Sequence, residues 1–216
     1  MPEILTLEKS LNLLEKFGIP IPKGKLAKDE EEAARISKLI GYPVVLKIVS
    51  PDIIHKTDVG GIVLDIKNEE ELRNSFREML KNVRKKVPNA KINGILVQRS
   101  VKEGQQVIIG GKKDPQFGQT ILFGLGGIFV EVFDDVSLRT VPIMGEDAKE
   151  MVQEVKAFKI LNGYRGKKYD INSLVEILLK TSKLLSVNKK ISELDINPVI
   201  VFEKGAFAVD ARIIMD

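Results

Sequence analysis

The sequence predicts an α+β fold built from two lobes. The predicted strands and helices do not alternate regularly along the 216 residues, which argues against a doubly wound parallel sheet. The hydrophobic content of 44% is that of a chain with a packed core. A change in composition near residues 89–94 predicts a first lobe at residues 1–93 and a second lobe at residues 94–216, with a cleft between them.

The composition excludes several classes of protein. The chain has no cysteine and a single histidine, His55, which excludes a disulfide-stapled scaffold, a thiolate metal site and a histidine-rich metal site. The formal net charge is +4, but both signs of charge are interspersed and tryptophan is absent, so no nucleic-acid partner is expected. No stretch has the roughly 20 apolar residues of a membrane span, and the first ten residues lack the apolar segment of a signal peptide. We therefore expect no membrane association and a cytoplasmic location.

Capping residues and apolar stripes predict the elements of the first lobe. Thr6, Asp29 and Asn68 each precede an amphipathic helical pattern as capping residues. The alternation that places Ile62 and Leu64 on one side predicts a strand with one buried face. The basic residues 84–86 are interpreted as the solvated end of the third helix. In chain order the predictions are a helix at 6–17, a helix at 29–40, a strand at 43–49, a polar loop at 50–61, a strand at 61–66 and a helix after residue 68.

The second lobe is predicted to be richer in strands. Lys204 and Gly205 predict the turn of a C-terminal hairpin. The predicted strands are at 92–99, 105–111, 119–123, 136–141, 193–202 and 206–214, and the predicted helices are at 146–158 and 171–187.

Lys47 lies inside the apolar strand at 43–49 and is the first candidate site residue. A lysine ammonium is rarely buried without a partner, so it needs an anion or a route to solvent. Two interpretations stay open. Lys47 binds a nucleotide phosphate as a point charge, or it belongs to an edge strand and its side chain extends into water.

The loop at residues 50–61 combines His55, Lys56 and Asp58 with the pair Gly60–Gly61. Backbone N–H groups at glycines can cradle phosphate oxygens. A neutral imidazole nitrogen keeps a lone pair at pH 7 and can accept a phosphoryl group. The alternative is a surface turn that contains a histidine by chance.

The predicted C-terminal hairpin places oxygen ligands on one face. With its turn at residues 204–205, Asp210 lies opposite Val199 and one diagonal from Asn197, on the face that also carries Asp195. The other face, which carries Phe207, is expected to be the apolar one. Oxygen ligands of this kind suit Mg²⁺, which takes one or two protein groups together with phosphates and waters. The alternative, a solvated face with an Asp–Arg pair, is less favoured because a metal and a phosphate cradle explain each other.

A glycine-rich segment contains Gly124, Gly126 and Gly127. It matches neither the Walker loop nor the dinucleotide fingerprint, so the spacing alone is a weak signal of phosphate binding. Glu131 and Arg139 flank the segment and are candidates to face a nucleotide.

Taken together, five segments resemble the β subunit of ADP-forming acetyl-CoA (acyl-CoA) synthetase, an ATP-grasp protein related to the β chain of succinyl-CoA synthetase. The resemblance covers essentially the whole chain. The segments are Gly-Tyr-Pro-Val-Val-Leu-Lys (41–47), Ser-Pro-Asp-Ile-Ile-His-Lys-Thr-Asp-Val-Gly-Gly (50–61), Lys-Asp-Pro-Gln-Phe-Gly (113–118), Phe-Gly-Leu-Gly-Gly-Ile-Phe-Val-Glu (123–131) and Glu-Leu-Asp-Ile-Asn-Pro (193–198).

The resemblance implies an ATP-grasp fold, two α+β lobes around a nucleotide cleft, and a division of labour between two subunits. A CoA-binding α subunit, in an α2β2 assembly, forms an acyl phosphate and takes the phosphoryl group onto its own histidine. The β subunit then moves that group to ADP and forms ATP, with Mg²⁺ as the cofactor.

The resemblance also implies roles for individual residues. His55 is the second phosphoryl carrier. Asn197 and Asp210 are the Mg²⁺ ligands, and Asp195, close to them, is expected to be a catalytic residue. Together with the candidates above, the expected nucleotide-binding residues are Lys47, Lys56, Thr57, Asp58, Gly60, Gly61, Val97, Gln98, Glu131 and Arg139, with Val97 and Gln98 near the adenine hinge.

One departure from the family pattern matters for the site, and two alternative functions remain open. Gln106 stands where members of the family often carry Glu, which weakens the expectation of a nucleotide contact there. The alternatives are a self-contained ATP-grasp ligase and a non-catalytic nucleotide-sensing ATP-grasp module. His55 favours the phosphoryl-transfer subunit, because a self-contained ligase has no evident need for it.

Overall fold

The computed structural model describes residues 2–53, 55–126 and 134–216. The chain divides into two compact units. The small unit is Pro22–Lys102, and the large unit combines Met1–Ile21 with Glu103–Asp216. Both units mix helices with a sheet, so the α+β prediction is confirmed.

The small unit has a four-stranded sheet of order β2-β5-β3-β4. All of its pairings are antiparallel. The buried apolar faces of its two helices pack with the sheet residues in one core, in which Leu46, Phe76 and Ile95 are buried. The elements of this unit are β2 (Gly24–Ala27), α2 (Glu30–Ile40), β3 (Val44–Val49), β4 (Ile62–Ile66), α3 (Glu69–Lys86) and β5 (Gly94–Arg99).

The two helices of the small unit begin where the capping residues predict. Asp29 accepts a hydrogen bond from the backbone N–H of Glu32 at 2.8 Å, and Asn68 accepts one from Glu71 at 2.9 Å. The carboxylate of Glu32 in turn accepts from the N–H of Lys28 at 2.9 Å. These reciprocal bonds satisfy amides that have no partner inside the helix, and so they fix where each helix starts.

In the described part of the chain, the large unit has a sheet of seven strands in the order β1-β11-β9-β6-β7-β8, and β10 also pairs with β9. Pairing of β1 with β11 attaches the N-terminus to the C-terminal strand. The strands are β1 (Glu3–Ile4), β6 (Gln105–Asp114), β7 (Gly118–Leu125), β8 (Val136–Thr140), β9 (Ile191–Val201), β10 (Ala206–Ala208) and β11 (Arg212–Met215). The helices are α1 (Leu7–Lys16), α4 (Gly145–Glu154), α5 (Phe158–Leu161) and α6 (Ile171–Val187), with a 3₁₀ turn at Tyr164–Gly166.

The structure divides the chain at other points than the expected boundary between residues 93 and 94. Strand β5 pairs with β2 on one side and β3 on the other, so it lies inside the small sheet and belongs to that unit. Residues 1–21 belong to the large unit, because β1 extends its sheet and the N–H of Ala208 donates to the carbonyl of Pro20 at 2.8 Å. Composition alone does not reveal either long-range pairing.

Three predicted elements have different bounds or faces. Leu64 is 67% exposed, because the register between β3 and β4 shifts and Asp65 takes a positive φ of 55°. The helix predicted at 146–158 ends at Glu154, and α5 follows as a separate turn of helix. The predicted last strand, 206–214, is two strands, β10 and β11. In the part of the chain that the structure describes, no helix is both long and apolar enough to cross a membrane.

Candidate functional site

Lys47 lies in an inner strand of the small sheet. Strand β3 pairs with β5 through Leu96 and with β4 through Ile62 at this position, so the edge-strand interpretation is wrong. All six residues of β3 are buried, and Lys47 itself is only 6% exposed. A positive charge in such a buried place attracts an anion more strongly than the same charge does in water, which makes this position suited to an anionic ligand.

Val97 and Gln98 lie in the middle of the same sheet and are both buried. Val97 pairs with Lys25 of β2 and with Leu46 of β3. Because neighbouring strands occupy both edges of β5 here, its backbone cannot also serve an adenine base at Val97 and Gln98. An adenine hinge near these two residues stays a prediction from the family resemblance.

The loop after β3 exposes the single histidine. His55 is exposed, whereas Ile53, two residues earlier, is buried in the core of the small unit. Thr57 and Asp58 are exposed, and Lys56 is partly buried. The structure thus presents the imidazole to solvent on a segment whose N-terminal side is held by an apolar side chain.

The two glycines of this loop close a turn. The N–H of Gly61 donates to the carbonyl of Lys56 at 2.7 Å, and the N–H of Gly60 donates to that of Thr57 at 3.0 Å. Gly60 has a positive φ of 70°. Both amides that the sequence predicts as a phosphate cradle are therefore used inside the loop in this conformation. The glycines serve the turn, and the predicted cradle is corrected on that point.

The residue register of the C-terminal hairpin differs from the predicted one. Ala208, not Asp210, pairs with Val199. Farther along, Arg212 pairs with Asp195 in β11. Three residues separate these two pairs on each strand, so Asp210 falls opposite Asn197, closer than the predicted diagonal.

The alternation of buried and exposed residues shifts by one residue at this same place in the hairpin. In β9 the register with β6 shifts between Val107 and Ile109, so β9 carries one additional residue there. Phe207 is 37% exposed, whereas Val209, Ala211 and Ile213 on the face expected to be apolar are buried, so that expectation is wrong at Phe207 and holds beyond it. The buried residues on either side of the change are Leu194 and Ile196 before Val199 and Val201 in β9, and Ala206 and Ala208 before Ala211 and Ile213 in β10, the connecting segment and β11.

Asp195 is the carboxylate beside this pair. Its Oδ1 atom is buried and makes no hydrogen bond to the described residues. Burial raises the pKa of the Asp195 carboxyl, the guanidinium of Arg212 opposes the rise, and the carboxylates of Asp210 and Glu193 add to it. The described residues contain no group of three or more His, Cys, Asp or Glu side chains that could hold a metal ion. A cation here would depend on one or two protein oxygens.

Arg139 forms an ion pair with Glu154. Its guanidinium donates to both carboxylate oxygens of Glu154 at 2.8 Å, and it lowers the pKa of that carboxyl, as does the hydroxyl of Ser137. This bidentate pair joins β8 to the end of α4. The proposed nucleotide site does not include Arg139, because its guanidinium is paired with Glu154.

The remaining candidates concern the glycine-rich segment. Glu131 and Gly127 lie outside the described residues. The N–H of Gly126 donates to the carbonyl of Gln106 at 3.0 Å, and a Cβ added to Gly126 would lie 3.3 Å from the Cβ of Gln106. The glycine thus allows the chain after β7 to approach β6 closely.

Sequence reasoning missed two contacts that attach the His55 loop. The Nζ of Lys86, interpreted above as part of a solvated helix end, donates to the carbonyl of Asp58 at 2.6 Å. The carboxylate of Asp52 accepts from the N–H of Lys91 at 2.7 Å. The sequence carries no signal of these contacts, because they join residues 28 and 39 positions apart.

Comparison with known proteins assigns the family. The chain matches the family model for the ATP-grasp domain over residues 2–215. It is 50% identical over 204 residues to the β subunit of acetate–CoA ligase (ADP-forming) I from Pyrococcus furiosus, a match that covers 94% of this chain and 88% of that protein.

Solved structures of the dinucleotide-forming acetyl-coenzyme A synthetase 1 from Ca. Korarchaeum cryptofilum are also similar. A complex with coenzyme A, Ca-AMPCP and HgCl+ has a TM-score of 0.97 and 47% identity, covering 99% of this chain and 94% of that one. A complex with coenzyme A, acetyl-coenzyme A and a phosphorylated phosphohistidine segment has a TM-score of 0.93 and 46% identity, covering 99% and 94%. In a complex with coenzyme A and Mg-AMPPCP that segment points towards the nucleotide binding site, and this structure has a TM-score of 0.88 and 42% identity, covering 99% and 93%.

The fold, the sequence motifs and these similarities agree with one another. The chain belongs to the ATP-grasp family and, within it, to the β subunits of ADP-forming acetyl-CoA synthetases.

Proposed function

We propose that this chain is the nucleotide-binding subunit of an ADP-forming acyl-CoA synthetase and that His55 carries the phosphoryl group to ADP. The observation that carries the proposal is the position of His55. It is the single histidine of the chain, it is exposed, and its segment matches the family motif. The similar Korarchaeum protein contains a phosphohistidine segment that was captured both phosphorylated and pointing towards a nucleotide site.

The transfer step follows from the chemistry of imidazole. A terminal β-phosphate oxygen of ADP forms the new O–P bond while the N–P bond of phosphorylated His55 breaks. The ring leaves as neutral imidazole when its second nitrogen carries a proton, and the bonding electron pair returns to the ring nitrogen. A carboxylate that accepts a hydrogen bond from this second N–H holds the tautomer that the step needs, and Asp58 is the candidate within the same unit.

Lys47 is proposed to bind the nucleotide phosphates. Its ammonium is held in a buried inner strand, where a positive charge attracts an anion more strongly than in water. Lys56 and Thr57, next to His55, supply a second ammonium and a hydroxyl to the same phosphates. Charge neutralisation of this kind lowers the barrier for attack by one anion on another.

The hairpin residues fit Mg²⁺. The register places Asp210 opposite Asn197, and the buried Oδ1 of Asp195 has no hydrogen bond to the described residues. These are oxygen donors, which Mg²⁺ prefers, and a site with one or two of them is completed by phosphates and waters. Asn197 and Asp210 would hold the ion, which when bound neutralises charge on the nucleotide phosphates.

The acyl-CoA chemistry is proposed to take place on a partner α subunit, because the similar Pyrococcus protein is itself named a β subunit. The partner converts acyl-CoA and phosphate to free acid and CoA and supplies the phosphoryl group. An α2β2 stoichiometry and a cytoplasmic location stay predictions from the sequence.

The test combines the chain with its α subunit and measures ATP formation from acetyl-CoA, ADP and phosphate. We expect His55→Asn to abolish net ATP formation and to leave Mg-ADP affinity nearly unchanged, and we expect label from [γ-³²P]ATP to be retained by the wild-type chain alone. More than about a tenth of wild-type turnover in His55→Asn, a loss below about 1.4 kcal/mol, contradicts the relay. Full turnover by the chain without a partner supports the self-contained ligase instead.

A further inference from the structure

The loop that presents His55 is attached at two points, one at the end of α3 and one in the segment between α3 and β5. On its N-terminal side, Asp52 accepts from the backbone N–H of Lys91, and on its C-terminal side, Lys86 donates to the carbonyl of Asp58. His55 lies three residues from each attachment. We call residues 52–58 the strap, in which the histidine lies midway in sequence between the two attachments.

The strap has little free length while both attachments hold. Ile53 is buried in the core, and the hydrogen-bonded turn from Lys56 to Gly61 is closed. Gly61 is held tightly, because a Cβ there would lie 2.4 Å from Cγ2 of Ile48.

The attachments differ in the free energy that is needed to break them. Moving Ile53 uncovers apolar surface, and moving Gly61 disrupts packing against Ile48. The bond from Lys86 to Asp58 is made by a long flexible side chain to an exposed carbonyl, and water replaces it on release at small cost. The Lys86 bond can therefore open without disturbing the core.

We propose that Lys86 is a positioning residue that latches the C-terminal arm of the His55 loop, and that release of this latch accompanies movement of His55 between its two phosphoryl-transfer positions. The proposal rests on the proposed function for the purpose of the movement. The latch itself rests only on the contacts of the small unit.

The first test measures amide hydrogen exchange in the full-length chain without nucleotide. We expect Lys86→Met to speed exchange at Gly60 and Gly61 about threefold to tenfold, since loss of one hydrogen bond makes the turn open more often. Lys85→Met is the matched control, because it removes the same charge from the adjacent exposed residue and should leave these rates unchanged. The amide of Ile48, which donates to the carbonyl of Gly61 at 2.8 Å, is the internal reference.

Two outcomes overturn the latch. One is unchanged exchange at Gly60 and Gly61 in Lys86→Met, and the other is an equal change in Lys85→Met. Lys86→Arg should restore most of the protection, because a guanidinium can donate to the same carbonyl.

The second test measures ATP formation by the chain with its α subunit. We expect Lys86→Met to change kcat about threefold to tenfold with Mg-ADP affinity unchanged, and we expect Lys85→Met to behave as wild type. Because hydrogen exchange does not depend on activity, a finding that His55 carries no phosphoryl group refutes the proposed function and leaves the latch standing. Altered exchange with an unchanged kcat refutes the link between release and transfer.

Discussion

At the scale of single residues, Gly61 shows how a side-chain-free position sets the geometry around His55. Its added Cβ would lie 2.4 Å from Ile48 and 2.9 Å from the carbonyl of Lys56, and a strand residue and a turn backbone have little room to yield. We therefore expect Gly61→Ala to lower the free energy of unfolding by about 1–3 kcal/mol.

Urea unfolding measures this loss, with Gly145→Ala as the control. Gly145 is the first residue of α4 and has nothing within 4 Å of an added Cβ, so alanine there should be neutral or slightly stabilising. Equal midpoints for Gly61→Ala and Gly145→Ala contradict the steric argument.

Lys47 is the second residue for which the structure makes a sharp prediction. Lys47→Met keeps the aliphatic length of a buried side chain and removes the charge. We expect at least about a tenfold loss of Mg-ADP affinity by calorimetry, because the phosphates lose a buried counter-charge. Lys85→Met controls for net charge, and wild-type affinity in Lys47→Met refutes the assignment.

Asp210 tests the proposed Mg²⁺ site. Asp210→Asn keeps the shape of the side chain and removes its charge, and we expect a large loss of Mg-ADP affinity with little change in affinity for ADP without Mg²⁺. An equal loss of ADP affinity with and without Mg²⁺ contradicts a role of Asp210 as a ligand of the cation.

At the scale of elements, the pair of Arg139 and Glu154 ties strand β8 to helix α4. The folded-state pKa of Glu154 is lowered, chiefly by the hydrogen bond from Arg139. The folded chain therefore binds this proton less tightly than the unfolded chain does. The resulting stabilisation is fully present above the unfolded pKa of about 4.3 and is lost as the pH falls through the folded pKa.

We expect Glu154→Gln to lower the free energy of unfolding by about 1 kcal/mol at pH 7. The loss is of this size because the substitution breaks a bidentate ion pair at a partly exposed site. The difference from wild type should shrink towards zero as the pH falls below about 4. Glu150→Gln is the matched control, since Glu150 is 3.9 Å from Arg139 and lies more in solvent. A difference between Glu154→Gln and wild type that does not depend on pH refutes the ionic origin of the effect.

At the scale of the whole molecule, residues 1–21 belong to the large unit although the small unit follows them in the chain. The N–H of Leu5 donates to the carbonyl of Ile213 at 2.9 Å, and Leu11 and Leu14 of α1 are buried. Each fully buried leucine contributes about 1.5–3 kcal/mol, so the loss of this segment is costly to the unit that it packs on.

We expect a chain that lacks residues 2–21 to lose amide protection in β9 and β11 while β3 and β5 keep theirs. Hydrogen exchange measured strand by strand checks this prediction. Full protection of β11 in the shortened chain contradicts the assignment of the N-terminal segment to the large unit.

The sequence by itself determined the local features and the family. Capping by Asp29 and Asn68 follows from short-range chemistry, in which neighbouring residues satisfy one another's backbone groups. The apolar run around Lys47 predicts a strand, and the polar residues after it predict a loop. The motif segments carry the ATP-grasp assignment, because their residue types and spacing are specific across the whole chain.

Only the tertiary structure decided the features that depend on partners distant in sequence. The position of β5 between two strands, the register that sets Asp210 against Asn197, and the engagement of Arg139 by Glu154 each join segments that no local pattern connects. The extra residue in β9 reverses the inward and outward faces beyond it, so a period of two cannot be extended through that strand. The physical reason is that local propensity fixes the conformation of a segment, whereas long-range packing fixes which segments meet and which side chains face each other.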